Sequence, residues 1–362
     1  MAKKLKIGII GCGGIANGKH LPANKRVGMV DMVAFCDIIE ERAVKAKEDY
    51  GTPESKVYTD YQELLKDETL DVVFVCTPNR SHSFISIDAL HAGKHVMCEK
   101  PMAKTYAEAV AMCEAAEETG KVLTIGYQNR RTQEAMYAKV CASEGELGDI
   151  YFAKAHALRR RAVPTWGVFL NEFEQGGGPL IDIGTHALDM TLWCMDNYKP
   201  KMVVGTTYRK LADQTNTGNA WGDWDPKEFT VEDSAFGFVV MENGATVSLE
   251  SSWALNLIDA VEARTTLCGT KAGLDMMDGV RINGVKHGKQ YIEKPNMNGG
   301  GVAFYDGAGS GAPEDIEAKM FAEAVLNGTE PSTLPRQAAC VTRILEAIYE
   351  SAKTGKPILF ED

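Results

Sequence analysis

The chain has 362 residues, 44% hydrophobic and 25% charged, enough for two globular domains of ordinary soluble composition. Its 50 acidic and 39 basic residues leave a net charge of −11, which excludes the broad basic surface of a nucleic-acid binder. Nine cysteines without a C-x-x-C pair fit neither a closed disulfide set nor a zinc site, and point to a reducing compartment.

Met1-Ala2-Lys3-Lys4-Leu5 passes directly into an apolar run, so no signal peptide is expected. No apolar stretch of about 18 residues offers a membrane span, so a cytoplasmic protein without membrane contact is expected. Lys6-Ile7-Gly8-Ile9-Ile10 has the apolar character of a buried parallel strand. It turns at Gly11-Cys12-Gly13, and Gly14-Ile15-Ala16 opens a helix. Gly11 permits the turn, Gly13 lets a phosphate approach the backbone, and Ala16 keeps helix and strand close. Val33-Ala34-Phe35-Cys36-Asp37 reads as a second strand, and its terminal acid lies 21 residues after Ala16. That spacing suits a carboxylate on an adenosine ribose, so the segment is expected to bind a dinucleotide.

Leu21-Pro22 interrupts the helical pattern, which predicts a short helix followed by a surface loop. Glu40–Tyr50 is a charged helix, Val57-Tyr58 a brief strand, and Thr59 or Asp60 caps the helix beginning at Tyr61. Strands follow at 71–76, 95–98 and 122–126, separated by helices at 83–92 and 104–119. Alternating strands and helices make a doubly wound parallel sheet, with ligands bound beyond the carboxyl ends of its strands. Asp37, Thr77-Pro78-Asn79-Arg80-Ser81-His82, Glu99-Lys100-Pro101 and Tyr127-Gln128-Asn129-Arg130-Arg131 all lie there.

Gly11-Cys12-Gly13-Gly14-Ile15-Ala16, Cys76-Thr77-Pro78-Asn79-Arg80-Ser81-His82, Glu99-Lys100-Pro101-Met102 and Gly126-Tyr127-Gln128-Asn129-Arg130-Arg131 resemble the glucose-fructose oxidoreductase/inositol dehydrogenase/rhizopine catabolism (Gfo/Idh/MocA) family. The likeness runs over nearly the whole chain. It implies a Rossmann domain over residues 1–126, a catalytic Lys100 and a Lys100-Pro101 bond in the cis form. It also implies cofactor contacts from Gly11, Gly13, Gly14, Ile15, Ala16, Asp37, Thr77, Pro78, Asn79, His82, Glu99, Lys100 and Gln128. Asp37 is followed by Ile38-Ile39, with no arginine before Arg42, which favours NAD over NADP.

The pattern changes at Ile150. Residues 150–157 alternate as a strand, Arg159-Arg160-Arg161 follows, and Trp166 lies in a turn as core or as a ring platform. Gly176-Gly177-Gly178-Pro179 marks a turn into a helix bearing Asp182, His186 and Asp189, whose spacing predicts one shared face. The Gly-Gly-Gly-x-Leu-x-Asp-x-Gly-x-His pattern matches the family's second-domain motif. Asp182 and His186 are therefore expected to face Lys100 across a cleft, with Asp189 structural. Stretches at 202–208, 234–240 and 245–253 alternate as strands, and Asn243-Gly244 is a hairpin turn. The expected second domain, 127–362, is α+β with a large, mostly antiparallel open sheet and closing helices at 315–326 and 336–352. The family resemblance implies that this sheet pairs subunits into a homo-oligomer. Trp221 and Trp224 lie in a polar loop over 213–229, suited to carbohydrate stacking or to hairpin packing, and the glycine-rich stretch 299–311 reads as a mobile loop.

The expected function is NAD-dependent oxidation of a secondary hydroxyl of a sugar or glycoside, without a metal. The catalytic set is Lys100, Asp182 and His186. His186 is the base and Lys100 polarises the reacting oxygen, or Lys100 is itself the base. Asn129, Arg130, Arg159 and Trp166 join the catalytic set at the substrate. The stretch Arg159-Arg160-Arg161-Ala162-Val163-Pro164-Thr165-Trp166-Gly167 and the tryptophan loop are similar to glycoside 3-dehydrogenases, including those acting on plant flavonoid glycosides. Inositol dehydrogenation, an NAD-dependent glycosidase using transient oxidation at C3, and a nucleotide-binding sensor are the alternatives. The sensor reading predicts loss of the lysine, aspartate and histidine that this sequence keeps.

Overall fold

A computed structural model describes residues 4–297 and 311–360. The glycine-rich stretch 299–311, all but its last residue, lies outside the described residues. The chain forms two compact units, Met1–Gln128 with Gly311–Ala339, and Asn129–Ser310 with Cys340–Asp362.

The first unit is built on six strands, β1 (Leu5–Ile10), β2 (Val30–Cys36), β3 (Lys56–Tyr58), β4 (Val72–Val75), β5 (His95–Cys98) and β6 (Leu123–Ile125). All neighbours are parallel, in the order β3-β2-β1-β4-β5-β6. The order reverses between β1 and β4, where an open α/β sheet leaves a crevice at its carboxyl edge. Ile7, Ile9, Phe35 and Phe74 are buried in an apolar core, as the unbroken hydrophobic runs of the strands require. Asp60 caps its helix by accepting from Gln62 N at 2.9 Å, and Thr105 with Glu108 forms a capping box at the head of Tyr106–Thr119.

Two expectations need correcting here. Leu21-Pro22 does not open a surface loop: a π-turn, Ala16–His20, runs directly into the helix Leu21–Val27, with proline in its first turn. The missing N–H of Pro22 falls where the widened turn tightens, so the helix survives it. The helix Pro313–Asn327, expected in the second domain, belongs to the first unit. Phe321 sets its ring against Phe74 at 5.8 Å, and Arg26 holds Asp315 through Nε and Nη2 at 2.9 and 2.6 Å.

Among the described residues the second unit carries nine strands, β7 (Ile150–Leu158), β8 (Pro200–Tyr208), β9 (Ser234–Met241), β10 (Thr246–Ser252), β11 (Glu262–Gly269), β12 (Gly273–Asp275), β13 (Arg281–Lys286), β14 (Lys289–Glu293) and β15 (Ile358–Leu359). Their order is β14-β13-β12-β11-β7-β10-β9-β8-β15, and only β7 and β10 run parallel. The helix Thr185–Met195 packs on β7 and β11. Ala153, Ala155 and Ala157 are fully buried on β7, small enough to admit it. The hairpin at Asn243-Gly244 forms as its sequence dictates, with Gly244 at φ +86° and its N–H donating to Met241 O at 3.0 Å.

Candidate active site

Every cofactor residue expected in the first unit lies on or beside a loop leaving a carboxyl end of β1, β2, β4, β5 or β6. Gly11, at φ +90°, crosses so close to β4 that a Cβ would stand 2.6 Å from the Cys76 carbonyl oxygen. No other residue fits both demands. At Gly13 and Gly14 a Cβ would meet nothing within 4 Å, so both glycines border open space. The Thr77 Oγ1 is buried without a hydrogen-bond partner among the described residues. An open glycine face, an orphaned hydroxyl and an acid at the end of β2 fit a dinucleotide.

Asp37 has a second task that its position in the sequence does not announce. Its Oδ2 accepts from Cys12 N and its Oδ1 from Ile39 N, each at 2.9 Å. The carboxylate thus fastens the glycine loop to β2 while each oxygen keeps a lone pair for a ribose hydroxyl. Burial pushes the neighbouring Cys12 and Cys36 thiols up to about 12, with Asp37 adding to the effect, so both are inert apolar side chains.

Two expected cofactor ligands turn inward instead. His82 is buried, with Nδ1 2.7 Å from Pro101 O and Nε2 2.8 Å from Thr77 O. It ties the loop after β4 to the turn after β5, and burial lowers its pKa. The Lys100-Pro101 bond in that turn is cis, as the family resemblance implies. Glu99 is also buried, its Oε1 accepting from Lys19 Nζ and His20 Nε2 at 2.7 Å each and its Oε2 from Lys100 N at 3.1 Å. Burial works to raise its pKa, but Lys19 and His20 outweigh it and hold the carboxyl well below its usual range. Gln128 accepts from the same Lys19 at 3.0 Å. Lys100 is partly exposed at the edge of this cluster, Pro78 is exposed, and Ile15 and Asn79 are accessible beside the glycine loop.

In the second unit Asp182 lies on a π-turn, Leu180–Gly184, that precedes the helix carrying His186 and Asp189. The helical spacing read from the sequence therefore crosses a change of pitch. Asp182 Oδ2 accepts from the buried indole of Trp253 at 3.0 Å, whereas Asp189 is 1% exposed. Arg130, expected at the substrate, is 0% exposed and grips Asp189 through Nε and Nη2 at 2.8 and 2.6 Å. It is a buried strut and has no surface to offer a ligand. Burial raises the Asp189 pKa even against Arg130. Asn129 is partly exposed just ahead of it.

The glycines before Asp182 are required by packing. A Cβ on Gly177 would strike Tyr349 Oη, and one on Gly178 the Glu232 carbonyl oxygen. Glu232 is buried there, accepting from Gly178 N at 2.8 Å, Leu180 N at 3.1 Å and Tyr349 Oη at 2.8 Å. Burial pushes its carboxyl up to about 7 despite these donors. Glu232, Tyr349 and Trp253 had no local signal in the sequence, because each acts through a fold partner remote in the chain.

Arg159 makes a fork with Glu262, Nε to Oε2 at 2.5 Å and Nη2 to Oε1 at 2.7 Å, and its guanidinium lies 5.4 Å from the Trp221 ring centre. Burial would lower its pKa, but Glu262 and, more weakly, Asp182 raise it. Trp166 and Trp221 are 52% and 45% exposed and meet edge to face at 5.0 Å. Trp166 continues to Phe169 at 5.9 Å, and Phe169 to Trp253 at 6.4 Å. An unbroken aromatic run thus connects the Asp182 carboxylate to two accessible indoles. Trp224, by contrast, is buried and donates to Ala212 O at 2.8 Å, so of the pair in the loop only Trp221 is offered to solvent.

Residues 5–127 match the oxidoreductase family with an NAD-binding Rossmann fold, and residues 136–275 match the GFO/IDH/MocA C-terminal domain. The chain is 40% identical to the D-glucoside 3-dehydrogenase of Escherichia coli (strain K12) over 269 residues, 74% of this chain and 76% of that one. It is 33% identical to the inositol 2-dehydrogenase of Salmonella typhimurium (strain LT2) over 45% of this chain and 48% of that one. The fold matches a levoglucosan dehydrogenase solved with NADH and L-sorbose, at a TM-score of 0.84 and 22% identity over 99% of each chain. The glycine loop with its open face, the cis Lys100-Pro101 turn and these matches over both units lead to one assignment: the chain belongs to the Gfo/Idh/MocA family of NAD-binding oxidoreductases.

Proposed function

We propose that the protein oxidises C3 of a glucoside to the 3-keto-glycoside, with the aglycone still attached. The aromatic run from Asp182 to Trp166 and Trp221 carries this reading, because it extends from a carboxylate that can hold sugar hydroxyls to indoles that can stack a further ring. Similarity to a D-glucoside 3-dehydrogenase over three quarters of that protein supports it.

Bound NAD supplies the hydride acceptor. Lys100 places its ammonium on the reacting oxygen and stabilises the alkoxide that develops there. Asp182, fixed by Trp253, orients a substrate hydroxyl and the His186 imidazole, and His186 takes the hydroxyl proton as the carbonyl forms. If Lys100 is the base instead, His186→Asn will keep most of the rate and Lys100→Arg will not. Gly11, Gly13, Gly14, Ile15, Ala16, Thr77, Pro78, Asn79, Gln128 and Asp37 hold the dinucleotide. Val204, Tyr208 and Phe238 lie exposed on β8 and β9, an apolar patch that supports homo-oligomerisation, which light scattering can measure.

The experiment is NADH formation over a panel of aryl glucosides, free sugars and inositols, with product analysis. The reading expects a keto sugar still joined to its aglycone. Turnover confined to free inositol refutes it, as does release of free aglycone by this enzyme alone.

A further inference from the structure

Behind Lys100 lies a group of buried charges joined by direct hydrogen bonds. Lys19 and His20 are consecutive on the π-turn that follows the glycine loop, yet both are buried and both reach Glu99 Oε1. In a regular α-helix neighbouring side chains diverge by about 100°. Lys19 also bonds Glu317 Oε2 at 2.9 Å, and Glu317 is buried on the helix Pro313–Asn327. Gly126 leaves room for the cluster, since a Cβ there would stand 2.9 Å from Glu99 Oε1 and 3.2 Å from Lys19 Nζ. The one protein group that Glu99 Oε2 accepts from is the N–H of Lys100, among the hydrogen bonds described.

We propose that Lys19 and Glu317 are positioning residues for Lys100: they fix the Glu99 carboxylate, which anchors the backbone from which the Lys100 side chain extends. The helix that starts at the glycine loop and the helix Pro313–Asn327 thereby set the geometry at the reacting end of the site. The inference rests on the role proposed above for Lys100.

The physical reason is the cost of a buried carboxylate without a counter-charge, which such a group escapes by taking a proton. Lys19, His20 and the Lys100 N–H are all donors to Glu99. A proton on Glu99 Oε1 would set donor against donor and release Lys19 or His20, and a proton on Oε2 would weaken the bond it accepts from Lys100 N. The other titratable groups acting on Glu99 or acted on by it are His82, Cys76 and Cys98, with Glu317 reaching it through Lys19.

Lys19→Met, Lys19→Arg and Glu317→Gln test the proposal, with Lys100→Ala as reference. The readouts are kcat at saturating NAD and glucoside from about pH 6 to about pH 10, NADH Kd by fluorescence, and Tm. Lys19→Met should lower kcat about tenfold or more and move the acid limb of the profile up by about one pH unit or more. NADH Kd should change by less than about threefold, because the glycine loop and Asp37 are intact. Lys19→Arg should restore most of the rate. Glu317→Gln replaces the charged partner of Lys19 with a weaker neutral acceptor and loosens the lysine, so its kcat should fall, while the loss of a nearby negative charge leaves the acid limb in place or moves it down. Wild-type kcat and limb in Lys19→Met beside an inactive Lys100→Ala overturn this proposal and leave the proposed function standing. A lowered Tm with an unmoved limb also overturns it, as does wild-type kcat in Glu317→Gln should Lys19→Met fail to fold. Full activity in Lys100→Ala overturns the proposed role of Lys100 and this inference together.

Discussion

Glu232→Gln separates the electrostatics of the glycine turn ahead of Asp182 from its packing. In the folded protein the Glu232 carboxyl titrates at about 7 instead of its ordinary 4.5, because burial outweighs the Gly178, Leu180 and Tyr349 donors. The raised value means that the folded chain holds this proton over a range where the unfolded chain has released it. Stability associated with Glu232 is therefore fully present below about pH 4.5 and is lost as pH rises through about 7. At about 1.4 kcal/mol per pH unit the loss is about 3 kcal/mol. Glutamine removes the ionisation. Its amide oxygen can keep Tyr349 Oη and Leu180 N, but its NH2 faces Gly178 N, donor against donor, at a pH-independent cost of about 1–3 kcal/mol. The assay is urea unfolding of the wild type and the variant at intervals from about pH 4.5 to about pH 8.5, followed by fluorescence of the second unit's tryptophans. The difference in stability between the two proteins should shift by about 3 kcal/mol in favour of the variant across that range. A constant difference refutes the argument, because it would mean that Glu232 ionises in the fold as readily as in the open chain.

Lys100→Ala and His186→Ala should bind NAD nearly as well as the wild type, while kcat falls about a hundred- to ten-thousand-fold. A double variant little worse than the poorer single would show that the two act as a unit, and near-wild-type turnover in the double variant would exclude both from the chemistry. The wild type should bind NAD more tightly than NADP, since Asp37 repels a 2′-phosphate; Asp37→Ala should narrow the gap but also weaken NAD, because Cys12 N and Ile39 N lose their acceptor. Titration by NADH fluorescence and its NADPH counterpart decides this. Asp189→Asn leaves the Arg130 guanidinium buried without its counter-charge and should cost about 3–5 kcal/mol in urea unfolding. Trp166→Ala should raise KM for aryl glucosides roughly two- to tenfold and leave free glucose unaffected, which steady-state kinetics on the two substrates can check.

The glycine loop, the acid at the end of β2, the Glu99-Lys100-Pro101 turn and the six strands under them were legible because each is written in contiguous residues. A parallel strand is a short apolar run, and a phosphate-binding turn is a spacing of glycines. The Asn243-Gly244 hairpin was legible for the same reason, whereas β11 to β14 were not named in advance, because none of them carries a regular alternation of apolar and polar residues. What only the tertiary structure decided is which polar side chains turn inward. Arg130, Glu99 and His82 have the composition of ligand-binding residues, yet each is buried against partners supplied by the fold. For Arg130 that partner is Asp189, 59 residues away; for Glu99 it is Lys19, 80 residues away. The return of Pro313–Asn327 to the first unit, with Glu317 beside Lys19, is of the same kind. A charge is affordable in a protein interior only beside its counter-charge, and sequence order carries no record of which remote residue will stand there.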